Sequence, residues 1–440
     1  MAGRESSPLS TFQFQSLFHI MLASVPRKKQ FLRKPELICP AGDWPSLKTA
    51  VENGADAVYF GVKDLNMRNL AENFDASELP KVIHYLHQHR KKAYLALNVI
   101  VYDSELEKVS KILRGAKAAH VDAVILWDLA VFSMAKKMKL NIHLSTQASV
   151  ANQEALRFYS RLGALRIVLA RECALADIRR MAQFIKRKKI RCELETFIHG
   201  AMCVSLSGRC FMSQEIFQKS ANRGECVQPC RREYLIKERD GESEFVLGQD
   251  FVLSPKDLCA IDFIDELIRA GVTGFKIEGR MRSAEYIKVV TSVYRRAVDA
   301  YLSGELTDAF KKELRDQLKL VYNRGFSSGF YLGNPDKDVS RRLEHVYQKT
   351  YVGEVRNFYG KIMVADVMIQ DSGLKNGDQI LVAGKDNAVQ VARVTEMQKE
   401  HQPVQAARRG EKIGVKLPFV VRAKDKIFLW QPTVSKKDRK

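Results

Sequence analysis

Ala93-Tyr-Leu-Ala-Leu-Asn-Val99, then Glu105-Leu-Glu-Lys-Val-Ser-Lys-Ile-Leu-Arg-Gly-Ala-Lys-Ala118, then Ala123-Val-Ile-Leu-Trp127 is the stretch that decides the fold. A short apolar run reads as a buried strand, a charged stretch with apolar residues at helical spacing reads as an amphipathic helix, and a second apolar run follows. The same beat extends in both directions. Further strands are expected at Glu36 to Pro40, Ala57 to Gly61, Ile142 to Ser145, Ile167 to Ala170, Glu193 to Ile198 and Gly274 to Ile277. Helices are expected at Ser46 to Asn53, Glu78 to His89, Gln153 to Leu162 and Ala174 to Lys186. Eight strands, each followed by a helix over about 270 residues, predict a (β/α)8 TIM-like barrel. An open doubly wound sheet has the same alternation and differs only in strand order.

Ser283 to Gly304 reads as a long helix closing the barrel. Beyond it the pattern changes to short alternating strands between Val352 and Trp430, with turns at Asn376-Gly-Asp378 and Arg409-Gly-Glu411. This predicts a small all-β barrel domain. The expected organisation is an N-terminal extension at 1–34, an α/β catalytic domain at 35–335, a linker at 336–350, the β-barrel domain at 351–432 and a basic tail at 433–440. Phe12 to Val25 is mildly apolar, interrupted by Gln13, Gln15, Ser16 and His19, and precedes its basic run instead of following one. It does not read as a secretory signal or a membrane span, and a cytoplasmic protein without a membrane partner is expected.

The 440 residues include eight cysteines, four of which are Cys203, Cys210, Cys226 and Cys230. Soft thiolates gathered in this way point to a metal or iron-sulfur centre. A disulfide framework suits small secreted domains, not a chain of this size. Structural zinc remains open, although Cys-x6-Cys and Cys-x3-Cys lack the short knuckles of zinc ribbons. Cys39, Cys173, Cys192 and Cys259 stand singly in apolar or helical contexts, where cysteine behaves as a small hydrophobe. The formal net charge of +21 favours polyanionic partners, above all nucleic acid.

In a (β/α)8 barrel, chemistry gathers at the carboxyl ends of the strands. Polar residues expected there are Asp43, Arg68, Asn98, Asp128, Gln147, Arg171, Glu172, Glu195, His199, Lys276, Glu278 and Arg280. The cysteine segment follows the seventh strand and belongs to the same rim. No His-Glu-x-x-His occurs, which counts against a familiar zinc hydrolase.

Several phrases together resemble peptidase family U32, the collagenase-like peptidases. They are Glu36-Leu-Ile-Cys-Pro-Ala-Gly42, Asn53-Gly-Ala-Asp-Ala-Val-Tyr59, His199-Gly-Ala-Met-Cys203, Ser207-Gly-Arg-Cys210, Ser254-Pro-Lys-Asp-Leu258, Lys276-Ile-Glu-Gly-Arg280 and Ser283-Ala-Glu-Tyr286. The resemblance implies oxygen-independent hydroxylation of a wobble uridine in tRNA, of a cytidine in 23S rRNA, or of quinone precursors. It implies a 4Fe-4S cluster and, for the RNA-acting branches, prephenate as co-substrate. The cluster ligands fall on Cys203, Cys210, Cys226 and Cys230, with Cys259 as the alternative to Cys230. Asn-x-Gly-x-Cys-x3-Cys-Arg at Asn222 to Arg231 resembles the tRNA branch, so tRNA is the expected partner, rRNA is the alternative, and no protein partner is implied. The family name leaves a collagenase-like protease as the other reading. By position, Arg171 and Arg280 are candidates to hold a dicarboxylate, Glu195, His199 and Glu278 are candidates for proton transfer, and Lys276 completes the expected catalytic set.

Overall fold

The computed structural model of the protein describes residues 34–232, 234–237, 244–247, 255–333, 347–384 and 387–432. The expected N-terminal extension before residue 34, the basic tail at 433–440 and linker residues 336–346 lie outside the described residues.

Eight parallel strands form the barrel: β1 (Glu36–Ala41), β2 (Ala57–Gly61), β3 (Lys92–Ala96), β4 (Ala123–Leu126), β5 (Ile142–Leu144), β6 (Ala164–Val168), β7 (Glu193–Ala201) and β8 (Gly274–Ile277). Consecutive strands pair in order, and β8 pairs with both β7 and β1. That closure settles barrel against open sheet.

Strand alternation builds two apolar layers. Leu37, Cys39, Val58, Phe60, Leu95, Val124 and Phe275 point outward and pack under the helices, while Ile38, Ala57, Tyr59, Tyr94, Ala123 and Ile125 fill the interior. Fully burying one such large aliphatic side chain stabilises the fold by roughly 1.5–3 kcal/mol. On the Glu195 side the interior is polar. Lys276 Nζ donates to Glu195 Oε1 at 2.7 Å, and Arg166 contacts Glu36, Glu193 and Glu195.

β6 begins at Ala164, three residues before the apolar run that predicts it, because the preceding helix Gln153–Leu162 ends on Gly163 at φ 120°. The charged Arg166 sits inside this strand, paired with carboxylates that make its burial tolerable. A helix also follows β4, at Leu129–Lys137, its first turn capped by the Asp128 carboxylate.

β7 departs from the simple repeat. It runs into the cysteine segment, then the antiparallel hairpin Tyr234–Lys237 with Glu244–Leu247, and then a short strand, Asp257–Cys259, that pairs antiparallel with β7 itself. Only after that does the helix Ile264–Ala270 lead to β8. The closing helix spans Ala284–Ser303 and buries Tyr286, Val290, Val293 and Tyr294.

The C-terminal region is an all-β domain. Its antiparallel sheet is ordered Gln390–Arg393, Gln379–Ala383, Lys426–Pro432, Tyr347–Tyr359, Val364–Ile369, Lys412–Lys416, Met397–Lys399 and Gln402–Pro403. Its first strand starts at Tyr347, inside the stretch expected to be linker. Val352, Val367, Ile380, Ile413, Val415 and Ile427 form its core. It packs on the barrel through Leu381 and Val389 against Ala284, and Val389 N donates to Thr49 Oγ1 at 3.1 Å. Among the described residues no helix is long and apolar enough to cross a membrane.

Candidate active site

The cysteine segment is held over the carboxyl end of the barrel by its own polar side chains. Asn222 Oδ1 accepts a hydrogen bond from Cys210 N at 2.9 Å, tying the second cysteine to the stretch before the third. Ser213 Oγ accepts from Val227 N at 3.2 Å and lies 3.8 Å from Cys226 Sγ. Gly224 carries φ 89°, and its carbonyl accepts from Asn69 N at 3.0 Å. Arg223 forks onto Glu105 and lies 4.7 Å from the Tyr102 ring centre. These contacts explain the spacing of Asn222, Gly224 and Cys226.

Cys203, Cys210, Cys226 and Cys230 all line one cavity, together with Arg171, Lys276, Glu278 and Arg280. All four thiols are free of disulfides; Cys203 is exposed and the other three are half-buried. Burial pushes the Cys230 thiol up; Arg231 opposes that shift, and Cys203 and Cys226 add to it. Cys259 is elsewhere. It is buried beside Tyr294, its thiol pushed up to about 12 by burial. Among the described residues, no three His, Cys, Asp or Glu side chains are gathered for a single metal ion. A cluster is wider than an ion, and four thiolates match its ligand number. By donor type and number alone, these four thiols match the ligand set of such a cluster.

The charged side chains of the lining are mostly cationic. Arg68, Arg171, Arg231, Lys276 and Arg280 face it against one lining carboxylate, Glu278. Glu278 Oε1 accepts from Arg68 Nε at 3.2 Å, and Oε2 lies 3.5 Å from Arg171. Burial would raise the Glu278 pKa, but Arg68, Arg171 and Arg280 together hold it below the usual carboxylate range. Burial lowers both Arg280 and Arg231 to about 10. Arg280 Nη1, Arg231 Nε and Arg171 Nε are buried without a hydrogen-bond partner. Buried guanidinium donors left open are costly, and an anionic ligand would satisfy them.

Two of the expected catalytic residues do not reach this lining. Glu195 is fully buried in the barrel interior and bonded to Lys276, so the lysine stands between it and the cavity. His199 is displaced by an irregularity in the β7–β8 register: Phe197 pairs with Lys276 but His199 pairs with Ile277. The extra residue reverses the alternation, and His199 lies against Tyr294, Tyr286 and Phe326 behind the strand. Burial lowers its pKa to about 4. Arg231 is the one charged lining residue that was not a candidate from sequence, although it ends the Asn222 to Arg231 motif.

A family model described as Peptidase family U32 matches residues 42–341. An uncharacterized protease of Methanocaldococcus jannaschii is 44% identical over 91% of this chain and 99% of its own length. A collagenase of Porphyromonas gingivalis is 36% identical over 89% of this chain and 97% of its own length. A tRNA hydroxylation protein of Bacillus subtilis is 34% identical over 82% of this chain and 86% of its own length. Matched in this way along most of its length, the chain belongs to peptidase family U32.

Proposed function

We propose that this chain is an RNA-modifying enzyme that hydroxylates a base in tRNA. It would form 5-hydroxyuridine at the wobble position, with a 4Fe-4S cluster on Cys203, Cys210, Cys226 and Cys230 and with prephenate as co-substrate. The observation that carries the reading is the shared cavity of four free cysteines and five cationic side chains at the barrel rim. The tRNA hydroxylation protein of Bacillus subtilis, alike over most of both chains, supports the substrate.

When bound, the cluster supplies one-electron chemistry that side chains lack. The chain's own residues do the rest. Arg280 and Arg171 offer open N–H donors for the carboxylates of a small dianion, and arginine's planar fork suits that task. Glu278, held ionised by its arginines, orients Arg68 and Arg171 instead of delivering protons. Lys276, bonded to Glu195, is the lysine that reaches the cavity. An anticodon-loop base can enter such a pocket without a duplex being melted.

Relatives named protease and collagenase support a second reading, peptide hydrolysis. Against it, no histidine is among the described cavity-lining residues, and Glu278 is engaged by arginines. A nucleophilic thiol or hydroxyl would lack its base. Mass spectrometry of nucleosides from cells with and without the gene, and without any paralogue, tests the choice. Loss of 5-hydroxyuridine derivatives from tRNA supports the proposal. Loss of a hydroxycytidine from ribosomal RNA shifts the substrate, and unchanged RNA with gelatin cleavage by the purified protein favours the peptidase.

A further inference from the structure

The segment that carries the cysteines also carries an aromatic side chain that packing does not explain. Phe211 stands between Cys210 and Met212, both cavity-lining, yet it is 73% exposed. Leaving such a ring in water forgoes the stabilisation that its burial would give. Arg209, on the other side of Cys210, is exposed as well. Its guanidinium lies 5.5 Å from the Trp127 ring centre, and Nη2 donates to the carbonyl of the cavity residue Gln147 at 3.2 Å. The rim beside Cys210 thus presents one bare ring and one guanidinium plate held in place by its neighbours. Leu206, 48% exposed, and Met281, 41% exposed, extend the apolar rim.

Flat apolar plates interleaved with cations suit one kind of partner. Unpaired bases stack on aromatic rings and guanidinium planes while their phosphates seek positive charge, whereas a duplex keeps its base faces closed. The chain's charge of +21 complements such a polyanion. We propose that Phe211 and Arg209 form a stacking shelf for the unpaired nucleotide next to the one whose base enters the cavity, so that the protein selects single-stranded loops over duplex RNA. This rests on the RNA reading above and adds to it the residues that recognise the loop.

The test uses the full chain purified without oxygen and fluorescence anisotropy with two probes. One is a fluorescein-labelled RNA hairpin with 2-aminopurine in its loop, and the other is a blunt RNA duplex of the same length. Wild type should prefer the hairpin and quench the 2-aminopurine. Phe211→Ala should weaken hairpin binding about tenfold, within the range for one stacked base, and abolish the quench without changing duplex binding. Phe211→Trp should retain both. Arg209→Lys, which keeps the charge and loses the plane, should weaken the hairpin alone. Iron content and thermal midpoint matching wild type establish that the cysteine segment is intact in each variant. Unchanged hairpin affinity in Phe211→Ala, or equal loss on hairpin and duplex, overturns the shelf and leaves the RNA reading standing. Wild type binding neither probe overturns both.

Discussion

Gly224 backs onto Asn66 so closely that a Cβ at this position would meet the Asn66 carbonyl carbon at 3.1 Å and its oxygen more closely still. The backbone there is left-handed, at φ 89°. Gly224→Ala therefore combines a backbone penalty of about 1–3 kcal/mol with a clash that only displacement of the cysteine segment relieves. The expected outcome is loss of iron uptake on anaerobic reconstitution together with new protease cleavage between residues 203 and 230. The barrel should stay folded by circular dichroism.

Iron binding should follow the cavity and not the count of cysteines. Cys203→Ala and Cys226→Ala should each strip the brown absorption and the iron, since both line the cavity. Cys39→Ala and Cys173→Ala should keep them, because those thiols are buried in the core under the helices. Stoichiometric zinc without visible absorption in the wild type would remove the cluster assignment altogether.

How much of this was legible in the sequence depends on the element. The barrel strands were, because a strand buried on both faces is a short apolar run whatever its neighbours are. β6 was placed late because Arg166, which belongs inside it, is acceptable only through carboxylates from β1 and β7 that are distant in sequence. The convergence of Arg171, Lys276, Glu278 and Arg280 followed from strand ends alone. The placement of His199 did not: a one-residue irregularity in β7 reverses its side, and bulges leave little trace in a single sequence. Arg231 ends a motif but was not singled out as a site residue, because a basic residue in a basic chain stands out only once its burial is known.

The Lys276–Glu195 pair gives a stability prediction. Both side chains are buried, and removing Lys276 leaves the Glu195 carboxylate in the barrel interior with Arg166, 3.5 Å away, as its remaining counter-charge. Lys276→Met should cost about 3–5 kcal/mol in urea denaturation. The double variant Lys276→Met with Glu195→Gln should recover most of it, because Arg166 keeps Glu36 and Glu193 as partners. A double variant as unstable as the single one would show that Lys276 acts through packing.

Two buried histidines set an acid limb. Burial lowers His199 to about 4, and burial with nearby Arg166 and Lys276 holds His143 well below its usual range. The unfolded chain titrates these groups near pH ~6.5, so between about 6.5 and 4 it binds protons that the native state refuses. Their contribution to stability is complete above that window and is lost as pH falls through it, by up to roughly 3 kcal/mol for His199. Chemical denaturation at stepped pH should show this slope, and His199→Gln should flatten part of it.

RNA affinity should be strongly salt-dependent and should draw on the β-domain. Each phosphate contact contributes a fixed slope to the logarithm of affinity against salt, so six to ten contacts predict about a thousandfold loss or more between ~50 and ~200 mM salt. Deleting the β-domain is a poor way to find those contacts. Leu381 and Val389 cover Ala284, and Val389 bonds to Thr49, so truncation would bare the barrel's flank. Reversing charge at Arg408 and Arg409, exposed near the turn at Gly410, leaves that interface untouched. If the basic surface extends from the rim to this domain, Arg408→Glu with Arg409→Glu should weaken tRNA binding uniformly across sequences. The salt slope should fall by about one per lost contact, with iron content unchanged. An unaltered slope would confine phosphate contacts to the barrel rim, where the cysteine segment and the arginine-lined cavity would have to hold the RNA alone.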